Sequence, residues 1–163
     1  MKIEDIKNSK AYDDIVYFDR VTKEAFGFLV TDYACQRQEP ILCGSECLIK
    51  YCNTTTCVHI TWEWQYSVVV ALAQLKLLPD GGRAAEAHDL EHLLSIRAQD
   101  AHVTQKNHPD RAELKRVIDT YAALTRQYAD DILKGDFSVF PQLRVLSLES
   151  IQRKKNMLGY PKS

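Results

Sequence analysis

Apolar and polar residues alternate in three consecutive stretches near the middle of the chain, 46–53, 57–64 and 66–72. A two-residue period is typical of β-strands that have one buried face, and the third stretch, rich in valine, is apolar on both sides. The apolar side of the first two stretches carries Cys47, Ile49, Tyr51, Val58, Ile60, Trp62 and Trp64. Because the connections between the stretches are short, the pattern predicts a three-stranded antiparallel meander.

Before these strands, apolar residues recur every three or four positions over residues 15–33, which predicts an amphipathic N-terminal helix. Gly27 weakens the middle of this helix by about 1 kcal/mol relative to alanine. Residues 36–44 include Pro40 and Gly44 and are expected to form the loop that ends it.

After the Pro-Asp-Gly-Gly tract at 79–82, the spacing predicts three helices. A polar loop at 99–107 separates the first of them from the second. One face of the first helix carries Ala87, Leu90, Leu93, Leu94 and Arg97. The second helix opens near Pro109, with Asp110 and Glu113 as an acidic variant of the capping box, and ends at Gly135 in a left-handed cap. Ser138 is placed to cap the third helix, which runs through Ile151.

The order of these elements defines an α+β fold class: an N-terminal helix, a three-stranded antiparallel β-meander, and three C-terminal helices packed on the sheet. We find no internal repeat and no low-complexity linker, so residues 1–163 are interpreted as one domain. Residues 1–10 are polar and aperiodic, and we expect them to be frayed.

The net charge and the hydropathy of the chain argue against two classes of partner, nucleic acids and membranes. The chain has 21 basic and 22 acidic residues and a net charge of −1, so no global field attracts nucleic acid or an anionic membrane. No apolar run reaches the ~20 residues of a membrane span, and no apolar segment follows the first lysine as in a signal peptide. These features favour a cytoplasmic protein.

Five cysteines lie within a short segment: Cys35, Cys43, Cys47, Cys52 and Cys57. Their odd number and the absence of a signal peptide argue against a disulfide framework. The spacing lacks the paired C-x2-C knuckles of a structural zinc site. We therefore expect free, buried cysteines that act as small hydrophobic side chains.

His88, Glu91 and His92 spell H-x-x-E-H, the signature of a group of zinc metallopeptidases. On a helix, imidazoles four residues apart share one face and can bind one Zn2+, with the glutamate as general base. Glu149 is a candidate third ligand. A chain of 163 residues leaves no room for a large second domain that closes over a peptide, and both histidines are expected at solvent-open positions of the first C-terminal helix. A zinc hydrolase is therefore kept as the alternative function.

Other catalytic patterns are weak, and no catalytic residue is assigned. The sequence contains no G-x-S-x-G, Walker or G-x-G-x-x-G motif. Cys57 and His59 share a strand face, but no orienting Asn or Asp is evident. Trp62 and Trp64 also share a face and are expected to form the aromatic floor of the core, whereas an exposed tryptophan would mark a binding surface.

Four segments resemble landmarks of small uncharacterised bacterial cytosolic α+β proteins: 26–30 (FGFLV), 46–51 (ECLIKY), 121–124 (YAAL) and 131–138 (DILKGDFS). This architecture is similar to that of toxin-immunity proteins. The resemblance implies a non-enzymatic protein-binding module whose partner is another protein, a toxin domain whose active site it covers. No cofactor is expected, and the charge and hydropathy described above argue against nucleic acid or a membrane as partner. A structural subunit of a larger assembly is the third function considered, and the binding face and oligomeric state stay open.

Overall fold

The computed structural model describes residues 11–64, 66–78 and 83–157, so the expected fraying of residues 1–10 lies outside the described part. Within it the chain is an α+β fold with six strands and six helices. The strands are β1 (Gln36–Arg37), β2 (Ile41–Cys43), β3 (Glu46–Cys52), β4 (Thr56–Glu63), β5 (Ser67–Leu77) and β6 (Arg83–Asp89). The helices are α1 (Tyr12–Ala25), α2 (Phe28–Tyr33), α3 (Leu90–Arg97), α4 (Arg111–Tyr128), α5 (Asp130–Leu133) and α6 (Phe140–Met157).

All strand pairs are antiparallel, and β3, β4 and β5 form the predicted meander as the centre of a larger sheet. In register, Ile49 lies opposite Ile60, and Ile60 lies opposite Val70. These side chains point to one face and are fully or almost fully buried, as the alternation predicts. The sheet order is β1-β3-β4-β5-β6, and β2 also pairs with β3.

Three strands of the described sheet were not predicted, so the expectation of three strands is wrong. Residues 36–44 contain β1 and β2, which both pair with β3. Residues 83–89 form β6 on the outer edge of β5, where a helix was expected around Ala87. The alanine-rich sequence of β6 favours helix intrinsically, but pairing with the long strand β5 overrides that preference.

The helices cover the apolar face of the sheet. Helix α1 packs against α4, helices α3 and α4 pack against β5, and α6 packs against β6. The buried residues of α4 include Leu114, Val117, Ile118 and Tyr121, which is the stripe expected from the spacing. Among the described residues, no helix combines the length and the apolar composition that a bilayer crossing requires.

Helix boundaries follow the local signals only in part. The side chain of Asp110 accepts a hydrogen bond from the Glu113 backbone N–H at 2.8 Å, which confirms the predicted N-cap of α4. Gly135 has φ +94°, a left-handed conformation that suits glycine, although the short helix α5 intervenes between α4 and this residue. Gly27 separates α1 from α2 instead of lying inside one helix, and α6 begins two residues after Ser138.

The loop between α3 and α4 is held against the sheet by Gln105. Its side-chain oxygen accepts a hydrogen bond from the Val68 N–H at 2.7 Å, and its nitrogen donates to the Val68 carbonyl at 2.8 Å. The same nitrogen donates to the Tyr121 hydroxyl at 3.0 Å. The pairing of β6 with β5 begins at Ala71, so it does not include Val68. The Gln105 side-chain amide therefore takes the place of a neighbouring strand at this edge position of β5.

Candidate functional site

The H-x-x-E-H residues lie on two different elements. His88 is the penultimate residue of β6, whereas Glu91 and His92 lie in the first turn of α3. The two imidazoles are therefore not one helical turn apart, and the helical premise of the zinc site is wrong. His88 is 5% exposed, so the expectation of a solvent-open position is also wrong for this residue.

Each member of the motif has a hydrogen-bond partner, and the two histidines share Ser147. His88 Nδ1 lies 2.9 Å from Ser147 Oγ and His88 Nε2 lies 3.1 Å from Glu86 Oε1. Ser147 Oγ is also 3.3 Å from His92 Nδ1. Glu91 accepts a hydrogen bond from the Tyr121 hydroxyl at 3.0 Å. In the described part of the chain, no three His, Cys, Asp or Glu residues are grouped so that they could hold a metal ion.

The chain of Glu86, His88 and Ser147 has the order of an acid–imidazole–hydroxyl triad, but its surroundings differ from those of an acyl-transfer site. Ser147 lies in the interior of α6, where backbone N–H groups are used by the helix and do not form an oxyanion hole. The His88 ring packs edge-on against Phe140, 5.0 Å between centroids. We interpret the three residues as a polar contact that joins β6 to α6, and the contact of Ser147 with His92 extends it to α3.

Glu86 is the charged centre of this contact. Its carboxylate accepts hydrogen bonds from the Lys76 amine at 2.9 Å and from the Arg144 guanidinium at 2.7 Å. The Lys76 hydrogen bond is the largest cause that lowers the pKa of Glu86 to about 2, with Arg144 and His88 adding to it against the opposing effect of burial. The side chain is 20% exposed, so solvent screens these interactions only in part.

The pH dependence of unfolding should report this cluster. Because the pKa of Glu86 is lower in the folded chain than its ordinary value, the carboxylate stabilises the fold above about pH 4.5, and that contribution disappears as the pH falls towards about 2. The contribution is up to about 3 kcal/mol. Thermal melts of the wild type and of Glu86→Gln should therefore differ most above pH 4.5 and converge near pH 2. Glu149→Gln, at a 55% exposed position, is the matched control and should track the wild type.

The cysteines only partly follow the expectation. Cys52 and Cys57, which lie opposite each other where β3 turns into β4, form a disulfide, so the prediction that all five are free is wrong. Cys35 and Cys47 are free and buried as expected, but Cys43 is exposed. Burial is the main cause that raises the pKa of Cys47 to about 12, which keeps it a thiol.

A cavity of about 350 Å3 opens where the end of β4 meets the beginnings of α1 and α4. The residues that line it include Asp14, Trp62, Trp64, His108, Asp110 and Arg111. Its volume is within the range of small-molecule and side-chain pockets. Sequence reasoning did not predict a cavity at this position.

The two tryptophans have different roles in this cavity. Trp62 is 3% exposed, and its ring packs 5.3 Å from that of Phe18, so it belongs to the predicted aromatic floor. Trp64 lies just beyond the end of β4 and is only half-buried. The Nε1 atom of Trp62 is buried and has no hydrogen-bond partner among the described residues. A donor of this kind is costly to bury alone, because it has lost its hydrogen bond to water.

The charged groups around the cavity are already paired. The Asp14 carboxylate lies 3.1 Å from the Arg111 guanidinium, and Asp110 caps α4. The Tyr17 hydroxyl donates to the Arg111 carbonyl at 2.9 Å, and the Arg111 guanidinium lies over the Tyr17 ring. His108 has φ +53°, a left-handed conformation that costs free energy in a non-glycine residue. The cavity walls are thus fixed by contacts between α1, α4 and the loop that precedes α4.

A sequence signal for this site did exist. Trp62 and Trp64 share a face at the end of a predicted strand and Tyr66 follows two residues later, and an exposed tryptophan at such a position was expected to mark a binding surface. The residues from the loop and from α1 that complete the cavity are far away in sequence and carry no local signal. Comparison of the chain with protein-family models, with curated proteins and with solved structures finds no match in any of the three.

Proposed function

We propose that the chain is a non-enzymatic protein-binding module that contacts its partner through the residues around the cavity. We define the aromatic rim as Trp64, Tyr66, His108 and Arg111. Tyr66 is 53% exposed and its ring lies 5.9 Å from that of His108. The observation that carries the proposal is this concentration of exposed or half-buried aromatic and arginine side chains around one concave site. Such residues dominate the binding energy of protein interfaces.

The partner class follows from the resemblance to toxin-immunity proteins, which implies a toxin domain. The net charge of −1 does not favour a strongly cationic partner surface. A hot-spot surface of aromatic residues fits a partner that is held by shape and apolar contact more than by charge. Assembly with further copies of the chain, as a structural subunit, is the competing outcome.

Affinity capture from the native host tests the proposal. The baits are the wild type, Tyr66→Ala in the aromatic rim, and Leu148→Ala, a matched control at a 61% exposed position on α6. We expect the wild type and Leu148→Ala to capture the same host protein. Tyr66→Ala should not capture it. The purified pair should then associate with a Kd below about 1 µM, which corresponds to about −8 kcal/mol.

Two outcomes would contradict the proposal. One is a partner that Tyr66→Ala retains as well as the wild type does, which would move the interface away from the aromatic rim. The other is a chain that forms a stable homo-oligomer in light scattering and captures no other protein. That result would favour the structural subunit. Circular dichroism melts of all baits exclude loss of the fold as the cause, because Tyr66 and Leu148 are both exposed.

A further inference from the structure

Strand β6 is an edge strand of the sheet. Within the described residues it pairs with β5 alone, and its register runs without a bulge over all 7 of its residues. Its sequence, RAAEAHD, contains neither proline nor lysine, two residues that commonly protect such an edge. Ala85, Ala87 and Asp89 are exposed. A regular edge strand of this kind is a template on which a further strand can pair.

The backbone groups that β6 directs outward belong to Ala85 and Ala87. In an antiparallel sheet, the N–H and C=O of one residue point to the same neighbouring strand, and the direction alternates along the chain. The loop before α4 bonds both backbone groups of Val68, so the even-numbered residues of β5 point away from β4 and towards β6. Their partners Glu86 and His88 therefore point back to β5. Among the described residues, no backbone group is bonded to the outward N–H and C=O of Ala85 and Ala87.

An exposed apolar surface adjoins this edge. Helix α6 packs on β6, and we define the α6 stripe as Val145, Leu148 and Ile151, which are 54%, 61% and 51% exposed. Leu143 is fully buried and marks the flank of α6 that faces the core. At 3.6 residues per turn, Val145 and Leu148 lie about 200° and about 140° around the helix from Leu143. They are therefore on the flank turned away from the core, beside the open edge of β6.

The edge and the stripe together fit a second copy of the chain. A single added strand would leave the α6 stripe uncovered, whereas a second copy brings its own α6 beside the first. A two-fold axis at Ala87 sets Glu86 opposite His88 of the second copy, so that a carboxylate faces an imidazole. An axis at Glu86 would oppose two carboxylates. We propose that the chain forms a symmetric dimer in which two β6 strands pair antiparallel and two α6 stripes pack against each other.

This dimer goes beyond the proposed function and is tested without a partner. None of the described residues that line the cavity belongs to β6 or α6, so the aromatic rim stays accessible in the dimer. Sedimentation equilibrium of the wild type should show a monomer–dimer equilibrium with a Kd on the order of 10 µM, because the interface is small.

Ala87→Pro tests the strand pairing. Proline removes an N–H that β5 does not use, so β6 keeps its place in the sheet, but the second copy loses a hydrogen bond at the axis. The dimer Kd should rise at least roughly tenfold. Ala87→Ser keeps the N–H and is the matched control, with a Kd within about twofold of the wild-type value.

Leu148→Asp tests the helix contact independently of the strand. It places a carboxylate in the α6 stripe opposite the same residue of the second copy, and the dimer Kd should rise roughly tenfold. Val30→Asp is the matched control, because it adds the same charge at a 46% exposed position on α2 and should leave the Kd unchanged. Circular dichroism melts of the variants identify any loss of the fold.

A wild type that stays monomeric at about 200 µM, well above the expected Kd, would overturn the proposal. A dimer whose Kd either Ala87→Pro or Leu148→Asp leaves within twofold would overturn it as well. If Ala87→Pro unfolds, Leu148→Asp decides alone. The proposed function is judged separately, by whether Tyr66→Ala loses the captured protein, and failure of one proposal leaves the other standing.

Discussion

Replacing Phe18 by alanine should lower the free energy of unfolding by about 3–5 kcal/mol. Phe18 is fully buried in α1, and its ring packs against Trp62, which joins the N-terminal helix to the centre of the sheet. The substitution removes the ring and leaves a cavity that the surrounding side chains fill only in part. Urea denaturation, followed by far-UV circular dichroism, measures the loss.

Val16→Ala is the control for this experiment. Val16 lies in the same helix and is 40% exposed, so the change in stability should be within about 0.5 kcal/mol. Similar losses for Phe18→Ala and Val16→Ala would show that α1 does not pack on the sheet through Phe18. The tryptophan fluorescence of folded Phe18→Ala should also change, because Trp62 loses the ring that packs against it.

Trp64→Ala should weaken the binding of the captured partner by at least about 2 kcal/mol, or roughly 30-fold in Kd. Trp64 is half-buried at the edge of the cavity and belongs to the residue type that contributes most to interface hot spots. Its truncation removes aromatic area from the aromatic rim. Isothermal titration calorimetry of the purified pair measures the effect.

Val145→Ala is the matched control for Trp64→Ala, because Val145 is 54% exposed on α6 and is not part of the aromatic rim. The Kd of Val145→Ala for the captured partner should stay within about twofold of the wild-type value. If Trp64→Ala binds the partner as tightly as Val145→Ala does, the interface lies elsewhere on the protein. Melting temperatures of the free variants identify any loss of affinity that comes from unfolding.

The sequence predicted the central part of the fold because two patterns were strong there. Strict alternation in β3 and β4 matches their burial, with Ile49, Tyr51, Val58 and Ile60 buried on one face. The apolar stripe of α4 and the cap at Asp110 are equally local signals. In both cases the element has enough residues for its period to be recognised, and the core is on the side that the period indicates.

The edges of the sheet were missed for a physical reason. Strands β1 and β2 have two and three residues, which is too short for a period, and they form only because β3 offers an unpaired edge. Strand β6 is rich in alanine, a helix former, and has the polar residues Glu86 and His88 on its core-facing side, so its sequence lacks the apolar alternation of a strand. Its position depends on β5, and no local rule contains that information.

The placement of the H-x-x-E-H residues on one helix was wrong for the same reason. A motif that spans five residues has the required geometry only if all five are helical, and here β6 ends at Asp89 within the motif. The cavity was missed because its walls come from β4, α1 and α4, which meet only through tertiary packing. The cysteine pair was missed because Cys52 and Cys57 become neighbours only once the register of β3 and β4 is fixed.

Gln105 has a consequence for how a partner can dock. The segment between α3 and α4 lacks regular structure, and segments of this length commonly adopt many conformations. Gln105 lies in this segment, three residues before His108. Its side-chain amide is hydrogen-bonded to both backbone groups of Val68 and to the Tyr121 hydroxyl. Docking is therefore expected to proceed as rigid-body association and not as coupled folding, so little conformational entropy is lost when the complex forms.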